Sequence, residues 1–285
     1  TITELVDDAN QSDIAAKLGD LQADAVHEIG EFLISFLNGN LFTRKVFSIE
    51  LVENLEATRH CCLTLLPALS SAPRPTTVQP GKAAPRIALW TETSAVYQIG
   101  EDSVNPSGPN TQKWIAERKR VYSAWEEIVN HAPVSQLISA KFPGVSLIPV
   151  IRGSNSDLTR KNAEHGFPSG FFGHGNYFTT NMEYAAMYSP TTLFVGFMAA
   201  GSVFPVVEDP NRKADGLHSL EGSAAVNGYD THFVLVHQKY KGIGMAGYLP
   251  HCPDEPPLPP NTKEFTELVT FNPHSVIPCF ILHLK

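Results

Sequence analysis

Three groups of residues in the second half of the chain have side chains able to do chemistry together. Arg152-Gly153-Ser154 ends the apolar run SLIPVIRG; an arginine at a strand end can hold a phosphate or a ribose, and a glycine beside it exposes backbone N–H and C=O to a ligand. The stretch Gly173 to Ser189, GHGNYFTTNMEYAAMYS, places glycines around His174 and then the aromatic pair Tyr177 and Phe178. Glu267 stands at the start of the apolar run ELVTFN, where a carboxylate can accept a hydrogen bond from a ligand hydroxyl or stabilise positive charge developing beside it. Taken singly, each also has an ordinary reading: a solvated arginine, half-buried aromatics, an exposed glutamate.

The elements that must position these residues follow from local pattern. NYFTT has the β-branched and aromatic character of a short strand. Thr180 followed by Glu183 forms a capping box that starts a helix at Asn181. Tyr184 and Tyr188 then lie one turn apart on one helix face, while Tyr177 projects from the strand before it. Two tyrosines from adjoining elements can wall a flat slot, and a planar aromatic ligand would gain about 0.5–1.5 kcal/mol per stacked ring pair beyond area burial. Core aromatics fit the same spacing. Beyond about Gly144 the period is strand-like throughout: SLIPVIRG, GNYFTT, TLFVGFMAAG, HFVLVHQ, ELVTFN and VIPCFILHL are short runs separated by Gly, Pro, Asn and Asp. With one helix among them, over residues 181 to 188, this order predicts an α+β domain on antiparallel or mixed sheets rather than βαβ units.

In this order the three groups resemble the poly(ADP-ribose) polymerase-like branch of the ADP-ribosyltransferases. That family carries a His-Gly-Thr/Ser on its first catalytic strand, a G-x-G-I-Y-F followed by a second tyrosine, and a glutamate opening an E-Y-I-V-Y-D-like strand. Arg152-Gly153-Ser154, the run Gly173 to Phe178 with Tyr188, and Glu267 look like these, and LFVGFMAAGSV and FNPHSVIPCFIL are similar to the flanking strand and closing hairpin. The resemblance covers residues 145 to 285. It implies a split antiparallel and mixed sheet core, NAD as co-substrate, and transfer of ADP-ribose to an acceptor with nicotinamide leaving. It further implies that Glu267 meets the ribose and the transition-state charge, that Tyr177 and Tyr188 sandwich nicotinamide, that Gly153 holds its carboxamide, and that Arg152 and Ser154 hold the adenosine or diphosphate end. Residues 156 to 172 are similar to the loop that covers NAD. Two positions depart from the pattern: Arg152 replaces the histidine, and Ala185 stands where a serine usually helps hold the amide. The toxin-like branch, with its Ser-Thr-Ser strand and Glu-x-Glu, is matched only in part, by Thr179-Thr180 and Phe265-Thr266-Glu267. The implied activity is mono-ADP-ribosylation of a protein acceptor; the alternatives are NAD hydrolysis and a catalytically weak module that binds NAD or ADP-ribose.

The whole chain bounds these expectations. Its 285 residues allow one large domain or two ordinary ones, and a formal charge of -8 argues against a dedicated nucleic-acid or anionic-membrane surface. The cluster Arg118, Lys119 and Arg120 reads as a solvated helix face. Four cysteines without ligand spacing, and His165 and His174 too far apart for a helical pair, predict no metal site. No long apolar run or signal pattern is present, which predicts a soluble protein with no membrane partner, cytoplasmic or secreted as an effector acting inside a host cell. The start at Thr1 without methionine predicts an excised or processed piece. Residues 1–140 read as a mainly α-helical region, with helical spacing over 2–38, a second block from Ser48 to Leu66, a Pro/Ser-rich linker near 70–85, a strand over Arg86 to Thr91 and an amphipathic helix before Pro133. Residues 141–285 read as the catalytic domain.

Overall fold

The apolar, β-branched runs SLIPVIRG and VIPCFILHL form strands that frame the molecule. A computed structural model describes residues 46–52, 54–71, 109–132, 135, 138, 140–154, 170–189, 191–210, 220–226 and 228–285. The helical spacing over 2–38, the strand over Arg86 to Thr91 and most of the covering loop lie outside these residues. Strands β1 (Val46–Leu51), β2 (Ser146–Gly153), β3 (Asn176–Phe178), β4 (Thr192–Ala200), β5 (Val203–Val206), β6 (Thr231–Gln238), β7 (Tyr248–Pro250), β8 (Glu264–Thr270) and β9 (Val276–Leu284) form two sheets. The first is antiparallel in the order β1-β9-β4-β2; the second runs β3-β8-β6-β5, with β7 also on β6 and the β5–β6 pair parallel. The class is therefore α+β with one antiparallel and one mixed sheet.

The sheets meet at one point and part beyond it. Ile151 and Thr179 exchange backbone hydrogen bonds of 2.7 and 2.9 Å, joining the edge of β2 to the residue after β3. Past that bridge Arg152 and Gly153 stay paired with β4 on one side only. Likewise β3 reaches no further along β8 than Leu268, so Thr266 and Glu267 keep their β6 partners but have no strand partner on the other side. A cleft opens between these two edges.

Several elements ahead of position 141 complete the same body. The block expected to be helical from Ser48 to Leu66 starts instead as β1, which hydrogen-bonds to the free edge of β9. Helix begins only at Leu55, where the Asn54 side chain accepts the Ala57 N–H, and it passes through a π-helical turn, Cys61–Leu65, to Ser71, past the expected start of the linker. The long helix Pro109–Asn130 lays Trp114 and Trp125 into the main core, with Trp125 against Phe233 of β6 at 5.7 Å between ring centres.

That helix also overturns the solvated-face reading of Arg118. Arg118 has 0% exposure: its guanidinium donates to Pro205 O, pairs with the Glu208 carboxylate, and lies 4.6 Å from the Phe204 ring centre. Arg120, by contrast, is exposed and pairs with Glu117 and Glu264. Among the described residues no helix is long and apolar enough to cross a membrane.

Candidate active site

Between the parted edges lies a cavity of about 240 Å³, and it gathers Arg152, Gly153, Tyr177, Tyr184, Ala185, Tyr188 and Glu267 on its walls. These come from β2, β3, the short helix Met182–Tyr188 and β8. Ser154 is the one expected site residue that does not line it; its N–H is spent on Thr192 O of the neighbouring β4 at 3.3 Å.

Gly153 is fixed by close packing. A Cβ built there would meet Ala185 O at 1.9 Å and Ser189 N at 2.9 Å, so the end of the short helix sits directly on its α-carbon. Alternation along β2 turns the Gly153 N–H and C=O to the same side as those of Ile151, away from β4 and toward the cleft. Gly153→Ala is expected to lift the helix off β2, costing about 1–3 kcal/mol by overpacking and moving Tyr184 and Tyr188 away from Glu267. Chemical denaturation checks the first effect; an unchanged midpoint would contradict this packing.

The short helix is not held by its expected capping box. Asn181 is the N-cap but makes no side-chain cap bond, and Glu183 pairs instead with Lys263. Where β3 has ended, Asn181 Oδ1 accepts the Thr266 N–H at 2.8 Å, in effect continuing the ladder with a side chain. The Thr266 hydroxyl contacts Thr179 and Thr180 at 3.1 and 2.9 Å and accepts the Thr180 N–H at 2.9 Å. These bonds staple the helix start to β8 at the residue before Glu267. Glu267 itself sits within β8, which begins at Glu264, rather than opening the strand.

Tyr177 is strapped from its far end. Its hydroxyl donates to Gly173 O at 2.8 Å and accepts the Phe172 N–H at 2.7 Å, while its ring lies where a side chain on Gly170 would have to be, 2.7 Å from an added Cβ. Phe172 O is in turn held by the buried His232 through Nδ1 at 2.7 Å, and His232 Nε2 accepts the Val226 N–H at 3.1 Å. That pattern places the proton on Nδ1 of a neutral ring, in keeping with burial, which pulls its pKa down to about 4. Tyr177 and Tyr188 both border the cavity without ring contact between them, and Tyr188 is 50% exposed.

Glu267 is 7% exposed and lies on the wall of the cavity. Tyr184 donates its hydroxyl to Oε1, and Tyr188 does so at 3.2 Å. Burial pushes the carboxyl up to about 7, against the two phenolic hydrogen bonds and the nearby Arg152 charge, which favour the ionised form. Arg152 donates to Tyr177 O at 2.9 Å, and burial pulls its guanidinium down to about 10, so it remains a cation at neutral pH. Both tyrosines at Glu267 are pushed up, by burial first and then by the carboxylate. The site thus sets one cation near, but not in a salt bridge with, one acid poised near neutrality.

Tyr184, Tyr248 and Met245 also line the cavity, although the motif pattern did not assign them to it. The signal for Tyr184 was present as its one-turn offset from Tyr188; Tyr248 and Met245 arrive from a loop with no recognisable pattern. Elsewhere, ligand atoms of Asp209, Cys252 and Glu255 lie within 4.8 Å of one another. The Lys239 ammonium bridges Asp209 and Glu255, supplying the positive charge that such a cluster needs, and burial pushes the Cys252 thiol up to about 12, far from a ligating thiolate. Compared with family models and with curated proteins, the sequence finds no match in either.

Proposed function

We propose that the chain is a mono-ADP-ribosyltransferase that moves ADP-ribose from NAD to a protein acceptor and releases nicotinamide, on a core like that of the poly(ADP-ribose) polymerases. The observation that carries this reading is the convergence of Gly153, Tyr177, Tyr188 and Glu267 on one cavity from four separate elements. Its volume, about 240 Å³, falls below the roughly 300–1,000 Å³ of sites that enclose a whole drug-sized ligand. It suits one end of NAD: a nicotinamide ring and part of its ribose.

In this reading nicotinamide enters the slot between Tyr177 and Tyr188, and the cleft-facing N–H and C=O of Gly153 meet its carboxamide. Glu267 accepts a ribose hydroxyl and faces the anomeric carbon. When the glycosidic bond breaks, its electron pair goes to the pyridinium nitrogen, which neutralises the leaving group without a general acid. The oxocarbenium-like charge left on the ribose is stabilised by the Glu267 carboxylate. The acceptor then attacks the anomeric carbon and gives up its proton to solvent. Water in the acceptor's place would give hydrolysis.

Incubated with NAD labelled in the nicotinamide ring, the protein is expected to release labelled nicotinamide and to transfer ADP-ribose when an acceptor protein is present. Tyr177→Ala is expected to weaken NAD binding about tenfold or more, through the lost ring stacking. No release would overturn the proposal, and no saturable binding would remove the NAD site as well. A competing reading, NAD recognition without turnover, is favoured by Ala185, which puts a methyl on the wall where a hydroxyl would hold the amide. It predicts binding with no release.

A further inference from the structure

We infer that Tyr184 is a positioning residue of this site: its hydroxyl, fixed in an aromatic cage, holds Oε1 of Glu267 and so leaves Oε2 to the ligand. The inference rests on the reading of Glu267 as the group that meets the ribose. Tyr184 is 1% exposed, and its ring is bounded on three sides. It stacks on Phe265 at 4.9 Å and 16°, and meets Tyr248 and Tyr188 nearly edge-on at 5.4 and 5.5 Å.

Phe265 stands two residues before Glu267 on β8, on the same strand face. One side chain therefore touches the strand twice, with its ring on Phe265 and its hydroxyl on the Glu267 carboxylate. Those two contacts fix both the height and the angle of the carboxylate. Tyr188 also reaches Oε1, but from a half-exposed residue that forms the outer wall of the slot. Among the described residues Oε2 takes no hydrogen bond. Both phenols thus meet Oε1, but only Tyr184 is held there by a buried cage, while Tyr188 also borders the open side of the cavity.

Tyr184→Phe keeps the ring and its cage and removes only the hydroxyl. The expected result is a protein that still unfolds cooperatively, with a thermal midpoint about 2–5 °C lower at pH 8, a fall of about 10- to 100-fold in kcat for nicotinamide release, and a KM for NAD within about threefold of wild type. With one fewer donor to its ionised form, the Glu267 carboxyl is expected to titrate about one unit higher. The acid limb of kcat should move with it. The titration is read by carbon-13 NMR of the labelled side chain, assigned by difference against Glu267→Gln. A variant with wild-type kcat and an unmoved Glu267 titration would overturn the inference. If the wild-type protein releases no nicotinamide, the transferase reading fails on its own; the NMR titration still decides the role of Tyr184, and an unmoved carboxyl there would overturn it.

Discussion

Glu267→Gln is expected to slow nicotinamide release about 10²- to 10³-fold while making the folded protein more stable above neutral pH. The two effects share one cause, a largely buried carboxylate on the wall of the cavity. Replacing it by a neutral amide removes the charge that faces the oxocarbenium-like ribose, and loss of one such preorganised electrostatic contact costs about 10²- to 10³-fold in turnover. The sign of the stability effect follows from the direction of the shift. In the unfolded chain the carboxyl ionises near 4.5, whereas burial keeps it protonated in the folded state up to about 7. Its contribution to stability is complete below about pH 4.5 and is lost as pH rises to about 7. Over that window the wild type gives up about 3 kcal/mol that glutamine, which does not titrate, retains. Urea denaturation at pH 5 and pH 8 reads the difference directly: small at the lower pH, clearly in favour of the variant at the higher. A variant less stable than wild type at pH 8 would contradict this picture of a strained acid.

Arg118→Met is expected to destabilise the fold by about 3–5 kcal/mol, the usual cost of stranding one partner of a buried ion pair. Methionine roughly fills the space but leaves the Glu208 carboxylate, 2% exposed, without its guanidinium, and leaves Pro205 O without a donor. The double change Arg118→Met with Glu208→Gln should recover most of the loss, because the stranded charge is then gone. A single variant within about 1 kcal/mol of wild type would mean that Glu208 finds water or another partner. The pair matters to the site at one remove, since the segment it anchors runs directly from β5, which pairs with β6, the strand beside β8.

The parts of the molecule legible in the sequence are those whose cause is local. Short β-branched and aromatic runs located β2 and β9 to the residue, and the long amphipathic helix before Pro133 stands where its spacing placed it. The offset of Tyr184 and Tyr188 by one turn correctly placed both on one face of a short helix. What could not be read depends on partners far along the chain. Arg118 looks like part of a solvated basic turn until Glu208 arrives from beyond β5. Thr180 and Glu183 satisfy a local capping rule, but β8 outcompetes it, because Thr266 offers Asn181 an orphaned backbone N–H where β3 stops. The first residues of the Ser48 to Leu66 block go into strand because β9 presents a free edge there. The position of Tyr184 against Phe265 and Glu267 is beyond local pattern for the same reason, because β8 brings both of those residues from far along the chain.

The most direct test of the whole account is a crystal structure of the protein soaked with NAD or nicotinamide. The expected density is a nicotinamide ring between Tyr177 and Tyr188, its carboxamide on the backbone of Gly153, and in the NAD complex a ribose hydroxyl on Glu267. A ligand bound elsewhere, or a cleft empty at saturating NAD, would contradict it.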